Sequence, residues 1–159
     1  MLQPTEKMQK WRKLSEYWSG RTGCPAALIL AVIQQESGGN PNAVRFERGY
    51  LDKYGGTAKF RNICKTTGYE TEDVATSYGL MQLMLPLSWG YMSDQHKTAQ
   101  AKLFLLVPEN NIRYGSAHLS MLIKKYTLYD ANHQNHKLDA AEIRCVAGAY
   151  NGGGSASAS

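Results

Sequence analysis

Between Pro25 and Ser37 the chain reads PAALILAVIQQES, and it then breaks on Gly-Gly-Asn-Pro. Proline suits the first turn of a helix, because the N–H it lacks is one that the first turn leaves unbonded anyway. The stretch AALILAVI that follows is apolar nearly all round, so this helix is expected to be buried rather than amphipathic. A helix wrapped on every side needs other elements packed around it, and the patterns elsewhere in the chain are helical, so the expected fold class is mainly α. The stop is sharp. It leaves Glu36 in the last turn, where an apolar interior meets an exposed turn.

A carboxyl held at such a boundary loses hydration, which raises its pKa, and the carbonyl end of the helix disfavours an anion as well. A carboxylic acid that keeps its proton can protonate a leaving oxygen, which is the step that cleavage of a glycosidic bond needs. The same residue also reads as an ordinary solvated glutamate at a helix end, and these arguments alone favour that plainer reading.

The rest of the chain supports a single domain over residues 1–152. Residues 5–19 place Met8, Trp11, Leu14, Tyr17 and Trp18 on one helical face, and SGRTG breaks that helix. Residues 45–76 are glycine-rich, polar and weakly periodic, and read as a long excursion with short helices or a small hairpin. Phe46, Tyr50, Tyr54, Phe60 and Tyr69 within it favour order. YGLMQLMLPLSW is a second apolar segment, ended or bent by Pro86. Helices are expected over 97–106, over 108–127 opened by Pro108, and over 138–150, with YDANHQNHK as a loop. The end of the chain has linker composition, so 153–159 is expected to be a flexible tail.

Composition excludes several classes. Hydrophobic residues at 43% and charged residues at 19% over 159 positions are those of a soluble globular domain with a real core. The formal charge of +5 suits an anionic polymer, but the basic residues are scattered and never exceed Lys124-Lys125 in a run, so nucleic acid is not indicated. Cys24, Cys64 and Cys145 show no metal-binding spacing and read as small buried side chains. His96, His118, His133 and His136 read as surface or loop histidines, and no metal or cofactor is called for. No apolar stretch is long enough for stable membrane insertion. The N-terminus has no apolar segment of the kind a signal peptide carries, so none is visible.

Four segments, ESGGNPNAV, SYGLMQLMLP, PENNIRYGSAHLSMLIKKY and AGAYNGG, occur in this order. Together they closely resemble the lytic transglycosylases of the soluble, goose-lysozyme-like superfamily. The resemblance covers about residues 25–152, with the 45–76 excursion matching least. It implies a lysozyme-like fold in which that excursion is an insertion between the catalytic helix and the GLMQ segment. It implies cleavage of the MurNAc–GlcNAc β-1,4 bond of peptidoglycan glycan strands with formation of a 1,6-anhydro product, Glu36 acting as acid and then as base. Gln82 and Met84 would line the sugar groove, and the Tyr150 hydroxyl would lie beside Glu36. Ser37 would brace the catalytic turn. By the same resemblance Asn110 is structural, Gly115 allows close packing, Gly79 lets the backbone pass near the groove and Asn151 forms a turn.

The chain departs from the family pattern at Arg45, where many members carry a serine that orients the acid; Ser77 is the candidate replacement. The 46-residue spacing from Glu36 to Gln82 exceeds that of compact members, so the insertion is a candidate lid or extra wall. Glu47 has two readings. Facing Glu36, it would activate water and make the protein a muramidase; paired with Arg45 or Arg48, it is a solvated loop residue. Glu72 and Asp73 are weaker candidates of the same kind. A non-catalytic wall-binding or virion-structural domain is the reading from a different class. RFERGY resembles phage-encoded and some bacterial members, so a phage lysis enzyme and a bacterial wall-remodelling enzyme both fit. Either would act on the wall, in the periplasm or from outside, and the oligomeric state is not readable.

Overall fold

Pro108 opens a helix of 19 residues, Pro108–Tyr126, that the other elements pack around. The computed structural model describes residues 6–127 and 138–152. In chain order the elements are α1 (Glu6–Gln9), α2 (Arg12–Thr22), α3 (Ala26–Ser37), β1 (Val44–Phe46), α4 (Arg48–Tyr54), α5 (Ala58–Thr67) and α6 (Thr71–Val74). They continue with β2 (Thr76–Tyr78), α7 (Leu85–Ser88), a 3₁₀ turn (Asp94–His96), α8 (Ala101–Leu106), α9 (Pro108–Tyr126) and α10 (Ala140–Gly152). The fold is mainly helical, with one small antiparallel strand pair among the described residues, in which Arg45 faces Ser77. No described helix is long and apolar enough to cross a membrane.

The expectation that α3 is buried all round is corrected. Only Ile29, Val32 and Ile33 are buried, while Ala27, Ala31, Gln34 and Gln35 are exposed. Alanines on the outer face cost little in water, and they make the stretch look more buried than it is. The central helix is α9, which packs against α2, α3, α7, α8 and α10. Its buried face includes Ile112, Leu119, Leu122 and Ile123, but also Gly115, Ser116 and Ser120. Small residues let neighbours approach: the Ser120 hydroxyl reaches Thr22 O at 2.5 Å, and Met81 packs where a Gly115 side chain would stand.

Two further readings are revised and a third is decided. SGRTG does not break α2, which runs through Thr22 and ends on left-handed Gly23 (φ 79°). Of the two readings of Pro86, an end or a bend, the bend fits: it stands in the first turn of α7, after Leu85, where its fixed φ and missing N–H are tolerated. Tyr17 is exposed, its ring stacked under Arg21, whereas Met8 and Trp11 are buried. The 45–76 excursion is an ordered series of short helices closed by β1 and β2, and α5 buries Phe60, Ile63 and Thr67 at helical spacing. Cys24 is buried and its thiol pushed up to about 12; Cys64 and Cys145 are half-buried, and all three are free. His133, His136 and the 153–159 tail lie outside the described residues.

Candidate active site

The position of Glu36 follows from how α3 stops. Gly38 and Gly39 both take positive φ, 60° and 83°, a conformation that costs other residues but not glycine. The Ser37 hydroxyl donates to Ile33 O at 3.1 Å and accepts from Gly39 N at 3.2 Å, bracing the turn. The Trp11 indole N–H donates to Gly39 O at 3.0 Å, which ties the turn to the start of α2. Glu36 therefore projects from a clamped helix end, its side chain 9% exposed, into a cleft of about 290 Å³.

The cleft has three walls. One is β1 with α4, which contribute Arg45, Glu47, Tyr50, Lys53 and Tyr54, so the insertion supplies a wall. The second is β2 with the segment that follows it, contributing Ser77, Gln82, Met84 and Leu87. The third is formed by His118 of α9 with Tyr150 and Asn151 of α10. Gln82, Met84, Tyr150 and Ser77 are thus brought together with Glu36 around one cavity, whereas Ser37 serves the turn and does not line it. Glu72 and Asp73 do not line it either: Glu72 accepts from Thr71, and Asp73 pairs with Lys102 at 3.3 Å.

Electrostatics centre on Arg45. Its Nη2 lies 3.7 Å from Glu36 Oε2, and its Nε donates to Glu47 Oε1 at 2.7 Å. Ser77 Oγ, opposite Arg45 in the strand pair, donates to that same Glu47 oxygen at 2.9 Å. The two readings of Glu47 are therefore not exclusive: it pairs with Arg45 and lines the cleft beside Glu36. The Ser77 hydroxyl goes to Glu47 rather than to the acid. Burial pushes the Glu36 carboxyl above the usual range; the Arg45 cation pulls it partly back, and the Glu47 charge pushes it up again. Burial and then the Glu36 charge hold the Tyr150 phenol well above its ordinary value.

The GLMQ segment is held by groups far from it in sequence. Asn111 is fully buried; its Oδ1 accepts from Met81 N at 2.7 Å, and its Nδ2 donates to Tyr78 O and Leu105 O, both at 2.8 Å. The Tyr150 hydroxyl donates to Met81 O at 2.6 Å. Both polar backbone groups of Met81 are thereby fixed, next to Gln82 in the left-handed region (φ 51°). Gln82 Nε2 donates to Ala43 O and Gly79 O at 3.1 and 3.0 Å, so the N–H donors of this amide find their partners within the protein.

Several roles change against the sequence reading. Gly79 is required by its φ of 79° and because a side chain there would sit 2.5 Å from Asn111 Nδ2, not because the groove approaches it. Asn151 is helical, inside α10, rather than a turn former. Asn110 makes one bond, to Phe104 O at 3.0 Å, and its neighbour Asn111 is the structural centre. His96 stacks on Phe104 near the surface, but His118 is buried and lines the cleft. Helical spacing places Asn111, Gly115, His118 and Leu122 on one stripe of α9, the signal that could have found both missed residues. Among the described residues no cluster of three or more His, Cys, Asp or Glu is placed to hold a metal ion.

A search of curated proteins finds no match to the chain. Residues 13–159 match the family described as the transglycosylase SLT domain. That span takes in the Glu36 turn, the insertion, the GLMQ segment and α10, and extends the resemblance at its N-terminal side into α2. The helical lysozyme-like fold and the reach of the match agree, and the chain belongs to this family of peptidoglycan-cleaving transglycosylase SLT domains.

Proposed function

We propose that the chain cleaves the MurNAc–GlcNAc β-1,4 bond of peptidoglycan by lytic transglycosylation, with Glu36 as acid and then base. The observation that carries this reading is the contrast between the two carboxylates of the cleft. The Glu36 side chain is 9% exposed, desolvated and raised in pKa, while the Glu47 side chain is 28% exposed and its Oε1 receives two hydrogen bonds. Glu36 gives its proton to the bridging oxygen as the bond from the anomeric carbon breaks and its electron pair passes to that oxygen. The resulting carboxylate takes the proton of the muramoyl 6-hydroxyl, whose oxygen bonds to the anomeric carbon. No water is consumed, so one carboxyl does the work that hydrolases divide between two. Gln82, Met84, Tyr150 and Ser77 shape the groove around it, and the wall substrate places the site of action outside the cytoplasmic membrane.

A second reading is favoured by one observation: Glu47 lines the same cleft, where it could activate water. Mass spectrometry of the soluble fragments released from purified peptidoglycan separates the two. Fragments lighter by one water are the expected result. Ordinary reducing ends would overturn the transglycosylase reading in favour of a muramidase with Glu47 as base, and no release at all would point to a wall-binding domain.

The charges around Glu36 also set its pH dependence. The alkaline limb of kcat/KM reports loss of the catalytic proton. Arg45 lowers the pKa of Glu36, so Arg45→Met is expected to move that limb to higher pH. Glu47 raises it, so Glu47→Gln is expected to move the limb to lower pH. Shifts of the two profiles in the same direction would contradict this arrangement.

A further inference from the structure

Arg45 stands between two carboxylates and meets them differently. Its Nε lies 2.7 Å from Glu47 Oε1, a hydrogen-bonded ion pair, while its Nη2 lies 3.7 Å from Glu36 Oε2, too far for a hydrogen bond. A guanidinium is shaped to grip one carboxylate with two parallel N–H groups. The Arg45 side chain is 58% exposed, so packing does little to keep its tip off the acid. Glu47 does, and it is itself anchored twice. Its backbone N–H donates to Ala75 O at 2.8 Å, just before β2, and its Oε1 accepts from the buried Ser77 hydroxyl at 2.9 Å. The register that sets Arg45 opposite Ser77 therefore also brings a fixed anion to the guanidinium.

The remaining gap matters to the acid. A cation in full contact with Glu36 would favour its ionised form at the pH where it must give up a proton, whereas a more distant one only moderates that tendency. We propose that Glu47 is a positioning residue for the reaction: anchored through Ser77 and Ala75, it holds the Arg45 guanidinium back from a hydrogen-bonded ion pair with Glu36. Glu47 then acts on the acid through Arg45 and not chiefly by its own charge. The direction in which burial, Arg45 and Glu47 move the Glu36 carboxyl agrees with this. The other ionisable groups around Glu36 are Lys53, Tyr50 and Tyr54 of α4, His118 of α9, Tyr150 of α10, and Lys7 of α1 against the Gly39 turn. None of them changes in the variants below. The proposal rests on the reading of Glu36 as the acid, but it is tested on the free protein.

The test follows the Glu36 carboxyl by carbon-13 NMR titration without substrate, its signal assigned by its loss in Glu36→Gln. Glu47→Ala removes both charge and tether. Glu47→Gln removes the charge but keeps an oxygen that can accept from Arg45 and Ser77. The expected result is a fall in the Glu36 pKa in both, about twice as large or more for Ala as for Gln, with the alkaline limb of kcat/KM moving alike. In Arg45→Met protein there is no guanidinium to hold back, and each substitution is expected to move the pKa about half as far or less. Direct action of the Glu47 charge predicts otherwise: equal falls for Ala and Gln, and no smaller falls in Arg45→Met. Either of those results overturns the proposal. Should Glu47→Ala fail to fold, the comparison of Glu47→Gln in the two backgrounds decides alone. An error in the role of Glu36 would show separately, in the fragments released by the wild type, and would leave the NMR result unaltered.

Discussion

Glu36→Gln is expected to reduce release of soluble muropeptides by about a thousandfold or more, within the range that a positioned general acid and base contributes, and to leave the fold intact. The amide matches the carboxyl in shape but has no proton to give and cannot become a base. The fold should do more than survive. The folded protein binds the Glu36 proton more tightly than the unfolded chain does, because burial raises the pKa. The contribution of this group to stability is therefore full below the ordinary carboxylate range and is lost as pH rises through the raised value. At neutral pH the ionised side chain is a cost, and Gln removes it. Melting temperatures at pH 7 and at pH 4 should show the variant equal or superior to wild type at pH 7, with the difference shrinking at pH 4. Loss of activity with a large fall in melting temperature at both pH values would instead mark Glu36 as structural.

That pairing of effects was partly visible in the sequence, and the reason is local. The end of α3 is written within four neighbouring residues, Gly38 to Pro41, so the place of Glu36 could be read without tertiary information. Pro108 marked the start of α9 for the same reason. What could not be read depends on pairing at long range. Arg45 meets both carboxylates because β1 pairs with β2 across some 30 residues, and no local pattern specifies that register. α4 is a single short helix with no fully buried residue, and its half-buried Tyr50, Leu51 and Tyr54 make too brief a pattern to stand out, yet it forms a wall of the cleft. The burial of α3 was overread because alanine looks the same in a core and on a surface. Polar residues at core spacing look like interruptions of a pattern, so Asn111 carries no signal of its own and His118 reads as a surface or loop histidine although it is buried. Here they are the two that tie α9 to the GLMQ segment and to the cleft.

Asn111→Ala should be the more damaging change to stability. Met81 N–H and Leu105 O, both buried, lose their partner at once, and Tyr78 O loses one of two, since it also accepts from Leu83 N–H. At about 1–3 kcal/mol for each group left unsatisfied, discounted for relaxation and entry of water, the expected loss is about 3–5 kcal/mol. That is a large fraction of the about 5–15 kcal/mol that holds a domain folded. Urea unfolding should show a much lower midpoint at an unchanged slope, the sign that stability and not the compactness of the end states has changed. Asn110→Ala is the matched comparison. It removes one half-buried bond to Phe104 O on the same turn and should cost only about 1 kcal/mol. Equal losses for the two would mean that Asn111 acts through helix propensity rather than through the three groups it holds. The change should also reach the chemistry. Met81 is held by Asn111 on its N–H and by Tyr150 on its carbonyl, and it precedes Gln82 in a strained left-handed conformation that the surroundings must maintain. With one of the two ties gone, kcat should fall even at temperatures where the variant is fully folded, because the wall opposite Glu36 no longer keeps its place.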